Sequence, residues 1–188
     1  MTQGDTRSAA LPARRPAQRR SRWAATVLLA GLLAGGAQAA GDDAYLRQAA
    51  RTIVAADPLP TLVTIDAEGQ PRTRTMEVSA PRADFDFWLA TRPGTRKLGQ
   101  IAENPRVTLH FADDDGGAYV NVLGRASIHR DARTIEAHTF NSPASLAAFW
   151  PDHPDGYVLV HVVATRIEVV GAGIEGDPVT WRPASFEP

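Results

Sequence analysis

The sequence predicts an antiparallel α+β domain in which about six short strands close into a small barrel with helices at its periphery. Three observations predict it. Between residues 61 and 170, β-rich runs alternate with turn signals built from Gly, Pro and Asp. Most neighbouring runs lie close enough to be joined as hairpins, and the helical stretches between them are short. Strands this short leave open edges unless the sheet closes on itself, which is the reason for expecting a barrel. The chain has 188 residues, 44% hydrophobic and 22% charged, a composition that fits one globular domain.

The first 39 residues read as an address. Six arginines (Arg7, Arg14, Arg15, Arg19, Arg20, Arg22) and one acidic residue, Asp5, precede the apolar run 23–34, and small residues follow up to Ala37-Gln38-Ala39. A charged start, a short apolar centre and an A-x-A site are the three parts of a secretory signal. A spanning helix needs about 20 apolar residues, and this run is shorter and diluted with Gly and Ala. The expected organisation is a signal peptide over 1–39 and a mature domain over 40–188, whose last part, 171–188, is a Gly- and Pro-rich tail. A periplasmic or secreted location follows, with no stable membrane span. Arg19-Arg20-Ser21-Arg22-Trp23 also partly matches a twin-arginine signal, which exports folded, cofactor-loaded proteins, and an ordinary Arg-rich signal explains it equally well.

The net charge is −1, and residues 40–188 carry 14 basic against 20 acidic side chains, so nothing draws the domain toward nucleic acid. Cys is absent, which excludes disulfides, thiolate metal sites, iron–sulfur clusters and cysteine nucleophiles.

Along the mature chain, Asp42–Ala56 spaces Leu46, Ala49, Ala50, Ile53 and Val54 as a helix behind an Asp cap, stopped by Asp57-Pro58. Thr61–Asp66 and Arg72–Ser79 form a hairpin around Ala67-Glu68-Gly69-Gln70, and Phe85–Thr91 alternates as a third strand. After Arg92-Pro93-Gly94, Thr95 is placed to cap a short helix that buries Leu98, Ile101 and Ala102 and ends at Asn104-Pro105. Val107–Ala112 is the fourth strand, Asp113–Gly117 a turn, and Tyr119–His129 a long fifth strand. The three Asp of that turn lack calcium-loop spacing and read as a solvated hairpin tip. Asp131–Phe140 and Ser142–Trp150 are two short helices, and Tyr157–Val170 is the longest β-branched run. Trp150 and Trp181 are expected to cover core edges.

No Ser-His-Asp order, H-x-x-x-H pair or Walker-type phosphate loop is present. His110, His129, His138, His153 and His161 show no ligand spacing, so no metal is expected. The strongest chemical signal is basic. Arg96 and Lys97, the only lysine of the chain, open a predicted helix after a Gly-containing turn, where backbone N–H groups and the positive helix end favour an anion. Period-two alternation turns Arg72, Arg74 and Met76 to one face of their strand and Thr73, Thr75 and Glu77 to the other. Two arginines on one face either meet an anion or face water.

The segments Pro71-Arg72-Thr73-Arg74-Thr75-Met76, Phe87-Trp88-Leu89-Ala90-Thr91 and Thr95–Val107, with its R-K-x-x-x-I-x-x-N-P-R-V run, resemble the pyridoxamine 5′-phosphate oxidase-like superfamily of FMN-binding split barrels. Within it, the chain is most similar to the general stress protein 26-like branch. The resemblance spans residues 44–170, and Gly124 within Tyr119–Arg125 also fits it. It implies a split barrel that forms a homodimer with FMN at each subunit interface. It further implies that Arg96, Lys97 and Arg74 hold the flavin phosphate, while Thr75, Met76, Ala90 and Thr91 face the ring and ribityl chain.

The chain departs from the oxidases proper, which carry an Arg-x-His substrate motif after the last long strand. Here Gly171–Asp177 contains neither Arg nor His, Trp181-Arg182-Pro183 matches the oxidase ending only loosely, and Tyr119 stands where the oxidases have Gln. The expected activity is therefore a flavin-dependent oxidoreduction of a small molecule other than vitamin B6, with no catalytic side chain singled out. Two alternatives stay open: a non-enzymatic periplasmic flavin or ligand carrier with a stress role, and the same fold holding deazaflavin cofactor or haem, the last with His138 or His161 as axial ligand. Expression in an export-competent bacterial host is expected to yield a mature chain that begins at Ala40, which intact mass measurement checks.

Overall fold

A computed structural model describes residues 35–82, 85–113, 117–171 and 173–188, with side chains from residue 43 onward. The expected signal peptide up to residue 34 and the middle of the Asp-rich turn lie outside the described residues. In chain order the elements are α1 (Gly35–Ala56), β1 (Thr61–Ile65), β2 (Pro71–Thr75), β3 (Phe87–Thr91), α2 (Arg96–Glu103), β4 (Arg106–Ala112), β5 (Tyr119–His129), α3 (Ala132–His138), α4 (Pro143–Phe149), β6 (Val158–Val170) and β7 (Ala184–Phe186). The strands form one antiparallel sheet in the order β2-β1-β4-β5-β6-β3, with β7 added to β6. Beyond β2 the chain crosses to the far edge of the sheet. There Val78 bridges Leu89 of β3, and the Ser79 N–H donates to the Trp88 carbonyl at 2.8 Å. This isolated bridge sets the segment that follows β2 against the last strand of the order, an arrangement consistent with a split barrel.

Local chemistry explains most boundaries. Gly69 turns the β1–β2 hairpin at φ 80°, and the Asp66 carboxylate accepts the Gln70 N–H at 2.8 Å. Asp131 caps α3 by accepting the Thr134 N–H at 2.9 Å, and Ser142 caps α4 by accepting the Ser145 N–H at 3.1 Å, with Pro143 in the first turn. α1 departs from expectation by starting at Gly35 rather than behind Asp42: Ala37, Gln38, Ala39 and Ala40 favour a helix, against the cost of Gly35, Gly36 and Gly41.

The barrel interior holds Leu62, Leu109, Phe111, Val120, Val122 and Val162, all fully buried, and Ala50 and Val54 of α1 join them. A second cluster lies on the other face of β3 and β6, where Trp88, Ala90, Tyr157 and Leu159 pack with Ile135 of α3. Every residue of β3 is consequently buried, in place of the expected alternation. Leu98 and Ile101 of α2 enter the core as expected, whereas Ala102 is exposed.

The tail also departs from expectation. It supplies a seventh strand, β7, which sets Phe186 opposite Ile167 of β6 and against Phe85 with ring centroids 5.6 Å apart. Three residues are too few for a periodic signal, but one buried Phe suffices to dock them. Trp150 covers a core edge edge-on to Tyr157, whereas Trp181 is 89% exposed on a tail turn with φ 58°. Among the described residues no helix is long and apolar enough to cross a membrane.

β5 shifts register between Leu123 and Gly124 against β6. A Cβ on Gly124 would sit 2.5 Å from the Val163 carbonyl oxygen, a backbone atom that cannot swing aside. Gly124→Ala is expected to destabilise the domain by about 1–3 kcal/mol, the usual cost of overpacking, read as a lower urea midpoint.

Candidate functional site

The hairpin register places Leu62 opposite Arg74 and Thr64 opposite Arg72, so both arginines share the barrel-facing side of β2. Leu62 and Thr64 are fully buried, and Arg74 folds inward over them. Its Nη1 donates to Thr64 Oγ1 at 2.7 Å and its Nη2 to Gln100 Oε1 at 3.0 Å. The Thr64 hydroxyl donates in turn to the same Gln100 oxygen at 2.7 Å. Gln100 lies one turn beyond Arg96 on α2, so this network ties the hairpin to that helix. Arg72, in contrast, reaches Asp66 at 2.8 Å and forms an ion pair there.

α2 enters the site from β3 through Gly94, at φ 73°. Lys97 Nζ donates to Thr91 Oγ1 at 2.8 Å, at the buried end of β3. Thr95 occupies the N-cap position, but its side chain caps nothing. Its hydroxyl lies 3.2 Å from that of Thr91 instead. The Leu98 N–H donates to the Thr95 carbonyl at 3.0 Å, and the Thr95 side chain leaves the amides of Arg96 and Lys97 uncapped at the positive end of the helix. A cavity of about 310 Å³ opens here, lined by Pro71, Arg72, Thr73, Arg74, Arg96 and Gln100.

The electrostatics are one-sided. Burial first, then the charges of Arg96 and Arg72, hold Arg74 below its ordinary value. Burial and then Arg74 do the same to Lys97. Among the described residues Arg74, Arg96 and Lys97 have no carboxylate partner. Partly desolvated like charges repel one another, and an anion between them reverses the sign of that interaction. The residues present thus fit a phosphate group.

The structure brings Arg74, Thr91, Arg96 and Lys97 of the expected site together. Thr75 follows on the exposed face of β2, opposite Thr61. Met76 is buried in the main core and its N–H donates to the Pro60 carbonyl at 3.0 Å. Ala90 packs into the second cluster beneath α3. Sequence reasoning missed Thr64 and Gln100, although both left a trace: Thr64 is a hydroxyl at a core position of an alternating strand, and Gln100 shares a helix face with Arg96.

The histidines were expected to stay scattered, yet His129, His138 and His161 converge on Trp88. Among the described residues no group of three His and acidic side chains is arranged to hold a metal.

Comparison with known proteins agrees with this fold. The family model described as pyridoxamine 5′-phosphate oxidase matches residues 46–171. The chain belongs to the pyridoxamine 5′-phosphate oxidase family. Curated proteins give no match. Among solved structures, general stress protein 26 from Bacillus anthracis is 23% identical, with a TM-score of 0.59 over 77% of this chain and 99% of that one. A protein from Clostridium acetobutylicum, related to general stress protein 26 of Bacillus subtilis, is 17% identical, with a TM-score of 0.63 over 76% and 94%. A heme binding protein from Mycobacterium smegmatis is 19% identical, with a TM-score of 0.58 over 76% of this chain and 57% of that one. At these identities the structures establish a shared fold, that of the pyridoxamine 5′-phosphate oxidase family.

Thr64→Val removes the hydroxyl that both holds Arg74 and bonds Gln100. It is expected to cost about 1–3 kcal/mol, the range for stranding buried polar partners, and to weaken binding of inorganic phosphate, measured by urea unfolding and calorimetry respectively.

Proposed function

We propose that this protein is an exported FMN-binding flavoprotein that carries out a flavin-dependent oxidoreduction on a small molecule, as a homodimer with FMN at each subunit interface. One observation carries the reading: Arg74, Arg96 and Lys97 converge at the first turn of α2 with no carboxylate among the described residues to neutralise them. A phosphate monoester brings a charge of about −1.5 to −2 and three acceptor oxygens, which suits this mouth. Each charge-assisted bond is worth about 1.5–3 kcal/mol. Membership of the pyridoxamine 5′-phosphate oxidase family supports a flavin as the bearer of that phosphate.

Bound FMN would supply the electron or hydride transfer itself. The chain's own part is to anchor and orient. Arg96, Lys97 and Arg74 hold the phosphate, Thr64 and Gln100 fix Arg74, and Thr91 fixes Lys97. The segment Gly171–Asp177 lacks Arg and His, so vitamin B6 oxidation is not the activity proposed.

Haem is the weaker reading. Shared fold with a heme binding protein supports it, but His138 and His161 each have a ring face against Trp88 and a ring nitrogen bonded to a neighbour, Arg82 and Asp86 respectively.

The chromophore released on denaturation tests the reading, with FMN at about one per chain expected from one site per subunit. Deazaflavin cofactor or haem in its place overturns it. Replacing Arg96 and Lys97 together by Ala is expected to lower FMN affinity about a hundredfold or more, two charge-assisted bonds, while leaving the unfolding midpoint nearly unchanged. Unaltered affinity refutes the site, and an FMN-loaded protein that nicotinamide donors and quinones do not turn over is a carrier.

A further inference from the structure

Trp88 is sandwiched between two imidazoles. The His138 ring lies 4.0 Å away between centroids with planes 9° apart, and the His161 ring covers the other face at 4.1 Å and 11°. His129 tilts against the same indole at 5.3 Å. The three rings come from α3, β6 and β5. The connection between β2 and β3 adds two charged groups, Arg82, whose Nη2 lies 2.9 Å from His138 Nδ1, and Asp86, which binds His161 Nε2.

The Arg82 contact fixes the state of His138. A guanidinium only donates, so His138 Nδ1 accepts and the ring is neutral with its proton on Nε2. A proton arriving at Nδ1 removes that lone pair and faces a permanent cation. Among the described residues, the charged or titratable groups around the ring are Arg82 and Asp86 from the connection, His129 from β5 and His161 from β6. Burial first, then Arg82 and His161, keep His138 below 6.5, and Asp86 opposes them. A proton on His138 would set a second cation beside the Arg82 guanidinium.

His138 is the last residue of α3, and three residues on lies Asn141, which is buried. The Asn141 Nδ2 donates to Glu77 Oε2 at 2.8 Å, and its Oδ1 accepts the Tyr157 hydroxyl at 2.6 Å. Tyr157 is pushed up to about 12, chiefly by burial, so it remains a donor throughout the range in which histidine titrates. Glu77 directly follows Met76 on the segment that carries Arg74. The segment 138–141 therefore connects the Trp88 stack to the strand that forms the cationic mouth.

We propose that the stack of Arg82, His138, Trp88, His161 and Asp86 is a pH-sensitive clamp: neutral His138 holds α3 and the Asn141–Glu77 contact in place, and its protonation loosens the ligand-bearing strand. The clamp regulates the mouth and, for its effect on FMN, rests on the flavin reading. The sign follows from linkage. The folded chain binds the His138 proton less tightly than the unfolded chain, so the clamp's contribution is present above 6.5 and is lost as pH falls from there toward the lowered folded value.

The test compares the full-length protein with His138→Gln, whose amide oxygen still accepts from Arg82 and does not titrate. Two quantities are followed from about pH 7.5 to about pH 5.5, the span in which histidine changes charge: amide-exchange protection of residues 132–141, corrected for intrinsic rates, and FMN affinity from flavin fluorescence. Wild type is expected to lose both protection and affinity as pH falls, while His138→Gln holds its protection and loses only what the phosphate's own titration removes. Arg82→Met, which deletes the opposing cation, should let His138 protonate at higher pH and shrink the response. Exchange that ignores pH, or falls equally in His138→Gln, overturns the clamp. Exchange that responds while FMN affinity follows the same curve in both proteins overturns its coupling to the mouth. Failure to bind FMN at any pH overturns the flavin reading instead, and the exchange measurement alone then decides the clamp.

Discussion

Closure of the sheet at Val78 and Leu89 is the constraint on which the cationic mouth depends. Without it β2 would be an edge strand, free to splay from the barrel and carry Arg74 away from α2. With it, the segment that continues β2 is bonded to β3, and the side chains on the ends of the two strands are held near one another. The barrel is sealed from within by Leu62, Leu109, Phe111 and Val162 and from one end by α1. The hydrophobic core thus bears the cost of holding like charges together, because the apolar burial that closes the barrel exceeds the repulsion among a few partly solvated cations.

Neutral groups complete that arrangement. Thr64, Thr91 and Gln100 bind the cationic side chains without cancelling their charge. A carboxylate in any of the three positions would fix the geometry as firmly and abolish the attraction for an anion. The choice of hydroxyl and amide partners separates orientation from neutralisation, and Arg72, which does meet Asp66, shows the other outcome on the same strand.

Much of this was legible in the sequence, for physical reasons that differ by element. β6 announces itself through a long β-branched run and β5 through the Asp- and Gly-rich turn before it, and α3 and α4 through Asp131 and Ser142, whose side chains do cap them. The position of Arg96 and Lys97 at a helix start after a turn was likewise readable from the sequence, and α2 does begin at Arg96. What escaped depends on contacts between distant segments. β3 is buried on both faces only because α3 and α4 fold over it, β7 is held by one phenylalanine, and the histidines converge from three elements that no spacing rule connects. Thr95 shows the opposite failure: a sound local rule made it a cap, and the nearby Thr91 hydroxyl drew its side chain elsewhere.

Because every other cation of the chain is an arginine, Lys97 is the one side-chain primary amine that the protein possesses. Its half-buried position beside Arg74 favours the free-base form, the form that attacks electrophiles. Amine-directed chemistry on this protein is thereby steered to two places, the chain terminus and the mouth of the barrel. Coupling through amines to a dye, a resin or a sensor surface would plug the opening that the barrel is built to present, so attachment through carboxylates or an added tag is the choice that leaves it accessible.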